Sequence, residues 1–266
     1  MVSVPRRSGR QRALGQTFLA DPNLLAAIVR ESGANGGDIV LEVGAGGGAL
    51  SERLAAVVSH LHAIEVDRRL ADAVADLAAL PNVSLHWGDA MKLDLGALDP
   101  APTKVVANLP YSIATPLLLR TLEHLPSVAS WTVMVQREVA ERLRAGPGSR
   151  VYGSPSVVVQ LAAEVELLRT VDPAVFVPRP RVESALLRLR RTGPGAPPAV
   201  RDLVRAGFAH RRKALARSLE LVRPGSLDPV RAALVELGRP PDARAESLSP
   251  RDFAALATRL APTTTD

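Results

Sequence analysis

The chain has 266 residues, 47% of them hydrophobic, which is enough for a sizeable core in one large domain or one large and one small. Cysteine is absent, so disulfides and thiolate metal sites are excluded, and His60, His62, His86, His124 and His210 lack metal-ligand spacing and read as structural or exposed. The net charge of +6 is uneven: residues 1–21 carry four Arg and one Asp, residues 201–260 carry 12 basic and seven acidic residues, and the body between is close to neutral.

Basic ends on a neutral body are what a chain needs to grip a polyanion such as nucleic acid. The opening "MVSVPRRSGRQR" is basic but lacks the apolar stretch of a signal peptide. No window approaches a membrane span, and a soluble cytoplasmic protein is expected.

From about residue 38 strand and helix patterns alternate. "DIVLEVG" (38–44) is a short apolar strand ending in glycine, and "GALSERLAAVVS" (48–59) has helical spacing. "HLHAIEVD" (60–67) reads as a strand, "RLADAVADLAAL" (69–80) as an amphipathic helix and "VSLHWGDA" (83–90) as a third strand. "KVVANLP" (104–110) is the fourth, followed by the helix "TPLLLRTLEHL" (115–125), the strand "SWTVMVQ" (130–136) and the helix "REVAERLRA" (137–145). "VVVQLAAEVELLRTV" (157–171) and "VESALLRLRR" (182–191) read as the last strands. The alternation predicts a doubly wound α/β fold with a mostly parallel sheet. The final strand is expected antiparallel, because "DPAVFVPRPR" is too short and proline-rich for a crossover helix. "RTGPGAPPAV" (191–200) reads as a linker to a small all-helical appendage. The predicted domains are therefore a basic arm (1–14), an α/β catalytic domain (15–192) and a helical domain (193–266).

Four strand ends carry the chemistry. Gly44, Gly46 and Gly48 form a strand-to-helix turn where backbone approaches a ligand without a Cβ in the way. Glu65 ends the second strand, 21 residues after Gly44, where a carboxylate can accept both hydroxyls of a ribose. Asp89 ends the third strand, within reach of an adenine amine. An adenosine-bearing cofactor fits, either a dinucleotide or S-adenosylmethionine. Glu42 disfavours a polyanion beside the glycine turn and suits a cationic ligand. At the fourth strand end stand Asn108, Leu109, Pro110 and Tyr111. In isolation this is a turn. It also supplies a carboxamide oxygen and a backbone carbonyl to accept the two N–H groups of an aromatic amine, a rigid proline, and a ring to stack on a base.

On these residues the chain resembles the rRNA adenine N6-dimethyltransferases. "NLPY" is similar to that family's N-(I/L)-P-Y, "GQTFLAD" (15–21) to its G-Q-(N/H)-F-L-x-D segment and "LEVGAGGGALS" to its glycine loop. "VFVPRPRVESALLRL" (175–189) matches its V-F-x-P-x-P-x-V-x-S-A segment, and "FAHRRKALARSL" with "RAESLSPRDFAAL" resembles the helical domain of the KsgA type. The resemblance implies a Rossmann-like class I methyltransferase fold with a seven-stranded, mostly parallel sheet. It implies S-adenosylmethionine as cofactor, with contacts at Thr17, Leu19, Glu42, Gly44, Gly46, Glu65, Asp89, Ala90 and Asn108. Tyr111 and Phe176 would sandwich the target adenine, and Arg211, Arg212 and Lys213 would meet RNA phosphates. The implied reaction is dimethylation of two adjacent adenosines in the 3′-terminal hairpin of small-subunit rRNA, by a monomer without a metal. Thr17 stands where the family has Asn or His, His210 where it has Gln, and "RVYGSPSVVVQ" (150–160) carries a proline in a normally more helical stretch. Rival readings are the related large-subunit resistance enzymes (Erm type), which share Asn-x-Pro-Tyr, and a non-catalytic RNA-binding assembly factor. Small-molecule methylation would not need basic ends.

Overall fold

A computed structural model describes residues 17–261, so the predicted basic arm lies outside the described residues. The chain divides into two compact units. One takes the chain through Ala140 together with Val165–Arg191; the other takes Glu141–Glu164 together with the chain from Thr192. The helical unit thus gathers an earlier segment of sequence that the predicted boundary at 192 leaves in the α/β part.

In the α/β unit, β1 (Phe18–Leu19) leads into α1 (Pro22–Ser32). Asp21 caps α1 by accepting from the Leu24 amide at 2.8 Å, Pro22 occupies the first turn, and Gly33 closes the helix at φ 60°. β2 (Ile39–Val43), β3 (His60–Glu65), β4 (Val83–Trp87), β5 (Lys104–Asn108) and β6 (Ser130–Gln136) run parallel. β7 (Ala163–Val171) and β9 (Ser184–Arg191) complete a seven-stranded sheet of order β4-β3-β2-β5-β6-β9-β7. β9 is antiparallel to β6, in the sense expected for the last strand. β8 (Phe176–Val177) pairs with β1 in a separate two-stranded ribbon, Leu19 opposite Phe176.

The order places the topological switch between β2 and β5. From β2 the chain moves outward through β3 and β4, then returns to the other side of β2 and moves outward again. Loops leave the carboxyl ends of these two neighbours in opposite directions and open a crevice between them. Beneath it, Val40, Leu61, Ala63, Val106 and Met134 share one core with Ile28 of α1 and Leu54 of α2 (Ser51–Ala55).

Three helix and strand expectations change. Residues 69–80 form two 3₁₀ turns and a single short helix, α3 (Ala75–Ala78). Val74, at φ −114° and ψ 15°, breaks the ladder while its side chain is buried against the Gly48 turn. The helix expected over 48–59 is the single turn and a half of α2. "SPSVVVQLA" is helix α6 (Ser154–Ala162), not the start of a strand. Pro155 sits in its first turn, Ser156 accepts from the Gly153 amide at 3.0 Å, and Val157, Val159 and Ala162 are buried. Start signals and tertiary packing override the β preference of the three valines.

Between β5 and β6 lies α4 (Ala114–His124), and α5 (Arg137–Arg144) follows β6 directly. The helical unit contains α6, α7 (Pro198–Ala209), α8 (Leu215–Glu220), α9 (Leu227–Glu236) and α10 (Pro250–Arg259). Its core joins Tyr152, Val157, Val204, Leu215, Val230, Leu234 and Phe253. Phe208 meets Tyr152 edge-on and Phe253 stacked, both at 5.9 Å between ring centroids. Gly207 admits the Leu215 side chain, which would lie 2.6 Å from any added Cβ. Tyr152 donates to the Leu248 carbonyl at 2.9 Å, so the Tyr-Gly pair of "RVYGSPSVVVQ" serves this core. Among the described residues, no helix is long and apolar enough to cross a membrane.

Candidate active site

Gly44, at φ 84°, turns the chain off the end of β2, and a Cβ there would lie 3.4 Å from Pro110 and 3.7 Å from the Asn108 carbonyl. Glycine is required by this left-handed conformation, while a Cβ would make only ordinary contact with the β5 end. Gly46, at φ 59°, is closed on its other side by the Phe18 ring. The β2 and β5 termini therefore lie side by side, with the glycine turn next to the Asn-Leu-Pro-Tyr segment.

Glu65 holds this turn. Its Oε2 accepts from the Gly46 amide, and its Oε1 accepts from Val66 and Asp67, each at 2.8 Å. A carboxylate offers about four acceptor positions, so one is left for a ligand. Beside it, the Val66 side chain stands exposed.

Glu42 lies on the penultimate position of β2, 2% exposed, with the Ser51 hydroxyl donating to Oε2 at 2.5 Å. Burial pushes its carboxyl up to about 8, the Ser51 bond opposes this, and the neighbouring Glu65 charge adds to the rise. The free site thus keeps a neutral acid beneath the glycine turn at pH 7. A cation arriving above would draw that proton off.

Asp89 accepts from the Met91 amide at 2.9 Å through Oδ1, and no described residue donates to Oδ2. Ala90 is buried, and its carbonyl is gripped by Arg120 of α4, which donates to Ala90 at 2.5 Å and to Leu93 at 2.7 Å. Arg120 escapes sequence reading because it lies 30 residues from the loop it fixes.

At the end of β5, Asn108 donates from Nδ2 to the Thr17 carbonyl at 3.4 Å, and its Oδ1 is buried without a hydrogen-bond partner. Buried acceptors are almost always paired, and an unpaired one costs about 1–3 kcal/mol. The Leu109 amide is used by Met134 at 3.1 Å, while nothing among the described residues donates to the Leu109 carbonyl. Pro110 turns the chain, and the half-buried Tyr111 phenol meets the Ser184 hydroxyl at 2.5 Å. Burial raises the phenol's pKa.

Phe176 is placed differently from its expected role. It is 2% exposed, paired across β1 with Leu19 and built into the main core, so neither ring face is open to a base. The Leu19 side chain is likewise turned into that core. Arg211, Arg212 and Lys213 lie exposed on the turn between α7 and α8 of the helical unit. There Arg211 is held by the Arg150 carbonyl at 3.0 Å and Glu246 at 3.2 Å. Among the described residues no cluster of three His, Cys, Asp or Glu could hold a metal. His62 bonds the Pro100 carbonyl at 2.8 Å and His86 at 3.0 Å, and burial lowers the pKa of both rings, which makes them structural as expected.

Sequence comparison matches residues 7–260 to the ribosomal RNA adenine dimethylase family. The chain is 44% identical to "Ribosomal RNA small subunit methyltransferase A" of Rubrobacter xylanophilus, over 97% of this chain and 99% of that protein. It is 41% identical to the protein of the same name from Deinococcus radiodurans, over 94% and 85%. Among solved structures, a dimethyladenosine transferase from Plasmodium falciparum shares the fold at TM-score 0.73 and 24% identity, covering 90% of this chain and 95% of that one. The 23S rRNA methyltransferase ErmE superposes at TM-score 0.67 and 26% identity, over 92% and 100%. The mostly parallel sheet with its antiparallel last strand is the Rossmann-like methyltransferase fold, and the chain belongs to the ribosomal RNA adenine dimethylase family.

Proposed function

We propose that this protein transfers methyl groups from S-adenosylmethionine to N6 of two adjacent adenosines in the 3′-terminal hairpin of small-subunit rRNA, giving N6-dimethyladenosine. The observation that carries this reading is the Asn108 Oδ1, a buried acceptor with no partner, on a residue whose backbone carbonyl adjoins the Gly44 turn, three residues before Tyr111. The residues fit the cofactor. Glu42, Gly44, Gly46 and Glu65 make a cradle of neutral or negative character, Asp89 Oδ2 is open to an amine, and Ala90 follows it in the chain; Thr17 and Leu19 keep their assignment from the family resemblance. When bound, S-adenosylmethionine supplies an electrophilic methyl on a sulfonium centre.

The chain's own part is to orient the amine. Asn108 Oδ1 and the Leu109 carbonyl accept its two N–H groups and turn its lone pair out of conjugation with the ring. Pro110 holds the carbonyl rigid, and the Tyr111 face supports the base. No strong general base is needed. Phosphate contacts fall to Arg211, Arg212 and Lys213 of the helical unit, which we assign to rRNA contact, with catalysis assigned to the α/β unit. The protein acts as a metal-free monomer in the cytoplasm, where subunits assemble.

The small-subunit target is favoured over the large-subunit one by the 44% identity to a small-subunit enzyme against 26% to ErmE. The test is incubation with labelled S-adenosylmethionine and separated ribosomal subunits, followed by mapping of modified adenines. Label in two neighbouring adenines near the 3′ end of small-subunit rRNA is expected. Label in large-subunit rRNA, or in neither, overturns the assignment.

A further inference from the structure

Two hydroxyl residues outside the Asn-Leu-Pro-Tyr segment reach it from opposite ends of the chain. Ser184, fully buried, is the first residue of β9, held opposite Gln136 by the β6 ladder. The neighbouring Glu183 carbonyl accepts from the Arg137 amide at 3.0 Å, which fixes the backbone on that side too. From this position the Ser184 Oγ meets the Tyr111 phenol at 2.5 Å. Thr17 approaches from the N-terminal side: its carbonyl accepts from Asn108 Nδ2 at 3.4 Å.

A carbonyl can only accept, so it selects one of the two flip states of the Asn108 amide. The reverse flip would set two oxygens against each other. With Nδ2 committed to Thr17, Oδ1 is the atom left for the amine. The Tyr111 ring is free to rotate about its side-chain bonds unless its hydroxyl is tied, and a stacking face is useful only in one plane.

We propose that Ser184 and Thr17 are positioning residues: Ser184 ties the Tyr111 hydroxyl so that its ring presents one face to the target base, and the Thr17 carbonyl sets the Asn108 amide with its oxygen outward. This rests on the reading of Asn108 and Tyr111 as the amine site. It gives Thr17, which departs from the family's Asn or His, a role that its main chain fills. The phenol oxygen is thereby spent on the protein, so Tyr111 contributes a face to the base and no hydrogen bond.

The test is a double-mutant cycle on full-length protein. Ser184→Ala and Tyr111→Phe should each lower single-turnover methyl transfer on the order of 10-fold, the size of one lost hydrogen bond, and the double variant should lose no more than either alone. Cofactor and RNA affinities should stay unchanged. The chain has only two tyrosines, so 3-fluorotyrosine labelling gives two ¹⁹F resonances, assigned with Tyr111→Phe. Ser184→Ala should move the Tyr111 resonance and leave Tyr152 in place. Should Ser184→Ala not fold, Ser184→Cys, a weak hydrogen-bonding side chain of similar shape, takes its place in the same cycle. Additive losses or an unmoved resonance in an active enzyme overturn the tether alone. Wild-type protein that methylates no rRNA adenine overturns the functional reading, and with it the purpose of the tether even if the resonance moves.

Discussion

In an Asn108→Ala variant two contributions to folding oppose each other. The fold loses one hydrogen bond, the 3.4 Å contact from Nδ2 to Thr17, worth on the order of 1 kcal/mol at this stretched length. It also sheds the Oδ1, whose burial without a partner costs about 1–3 kcal/mol. Unfolding stability should therefore change by no more than about 1–2 kcal/mol in either direction. The substrate has no such compensation. One preorganised acceptor aimed at a reacting group contributes roughly 10²–10³ in rate, about 3–4 kcal/mol. The expected pattern is near-normal stability and RNA binding with methyl transfer reduced by at least 100-fold. Urea unfolding, filter binding to rRNA, and single-turnover transfer at saturating cofactor measure the three separately. Unchanged transfer would remove Asn108 from the chemistry. A large stability loss in step with the activity loss would make the residue structural and refute the argument from its unpaired oxygen.

The Glu42 carboxyl, pushed by burial to about 8 from an ordinary 4.5, keeps its proton in the folded state where the unfolded chain releases it. Stability should accordingly fall as pH rises from about 4.5 to 8, and Glu42→Gln should flatten that dependence; equal urea midpoints across pH 5–8 in the wild type would refute it. Cofactor binding at pH 7 should release close to one proton, read by calorimetry in buffers of different ionisation enthalpy, and Glu42→Gln should abolish the release. Arg120→Ala frees the Ala90 and Leu93 carbonyls, and cofactor Kd should weaken by roughly 10-fold, a charged hydrogen bond's worth, with RNA affinity unmoved. RNA affinity should fall steeply with salt, and Arg212→Ala and Lys213→Ala should each reduce the log–log slope by roughly 0.7–0.9; a flat salt response counts against the electrostatic account.

What could be read in the sequence was local: a strand's apolar run and the polar residue that ends it. Gly44, Glu65, Asp89 and Asn108 announce themselves because a buried run stopping at such a residue has few purposes, and the parallel ladders bring those ends to one edge of the sheet. What could not be read depends on partners far away in the chain. Phe176 in a proline-rich stretch looks like a free aromatic until the β1–β8 pairing, 157 residues apart at Leu19, folds it into the core. Ser184 acts on Tyr111 across 73 residues and Arg120 on Ala90 across 30, and no spacing rule connects either pair. The helix over Ser154–Ala162 was readable from Pro155 and Ser156, and three consecutive valines outweighed that signal.

These two kinds of legibility divide the site by chemistry. Groups that serve the fold find protein partners: Ser51 bonds Glu42, three amides fill most of Glu65, and the Ser184 hydroxyl holds Tyr111. The groups that we assign to the ligand are left incomplete, as at Asp89 Oδ2, the Leu109 carbonyl and above all Asn108 Oδ1. A strand that ends in an amide the fold declines to satisfy bears a standing cost, and folding alone gives no reason to keep it. An amine with two hydrogens to donate, presented at that strand end, removes the cost at the moment of reaction.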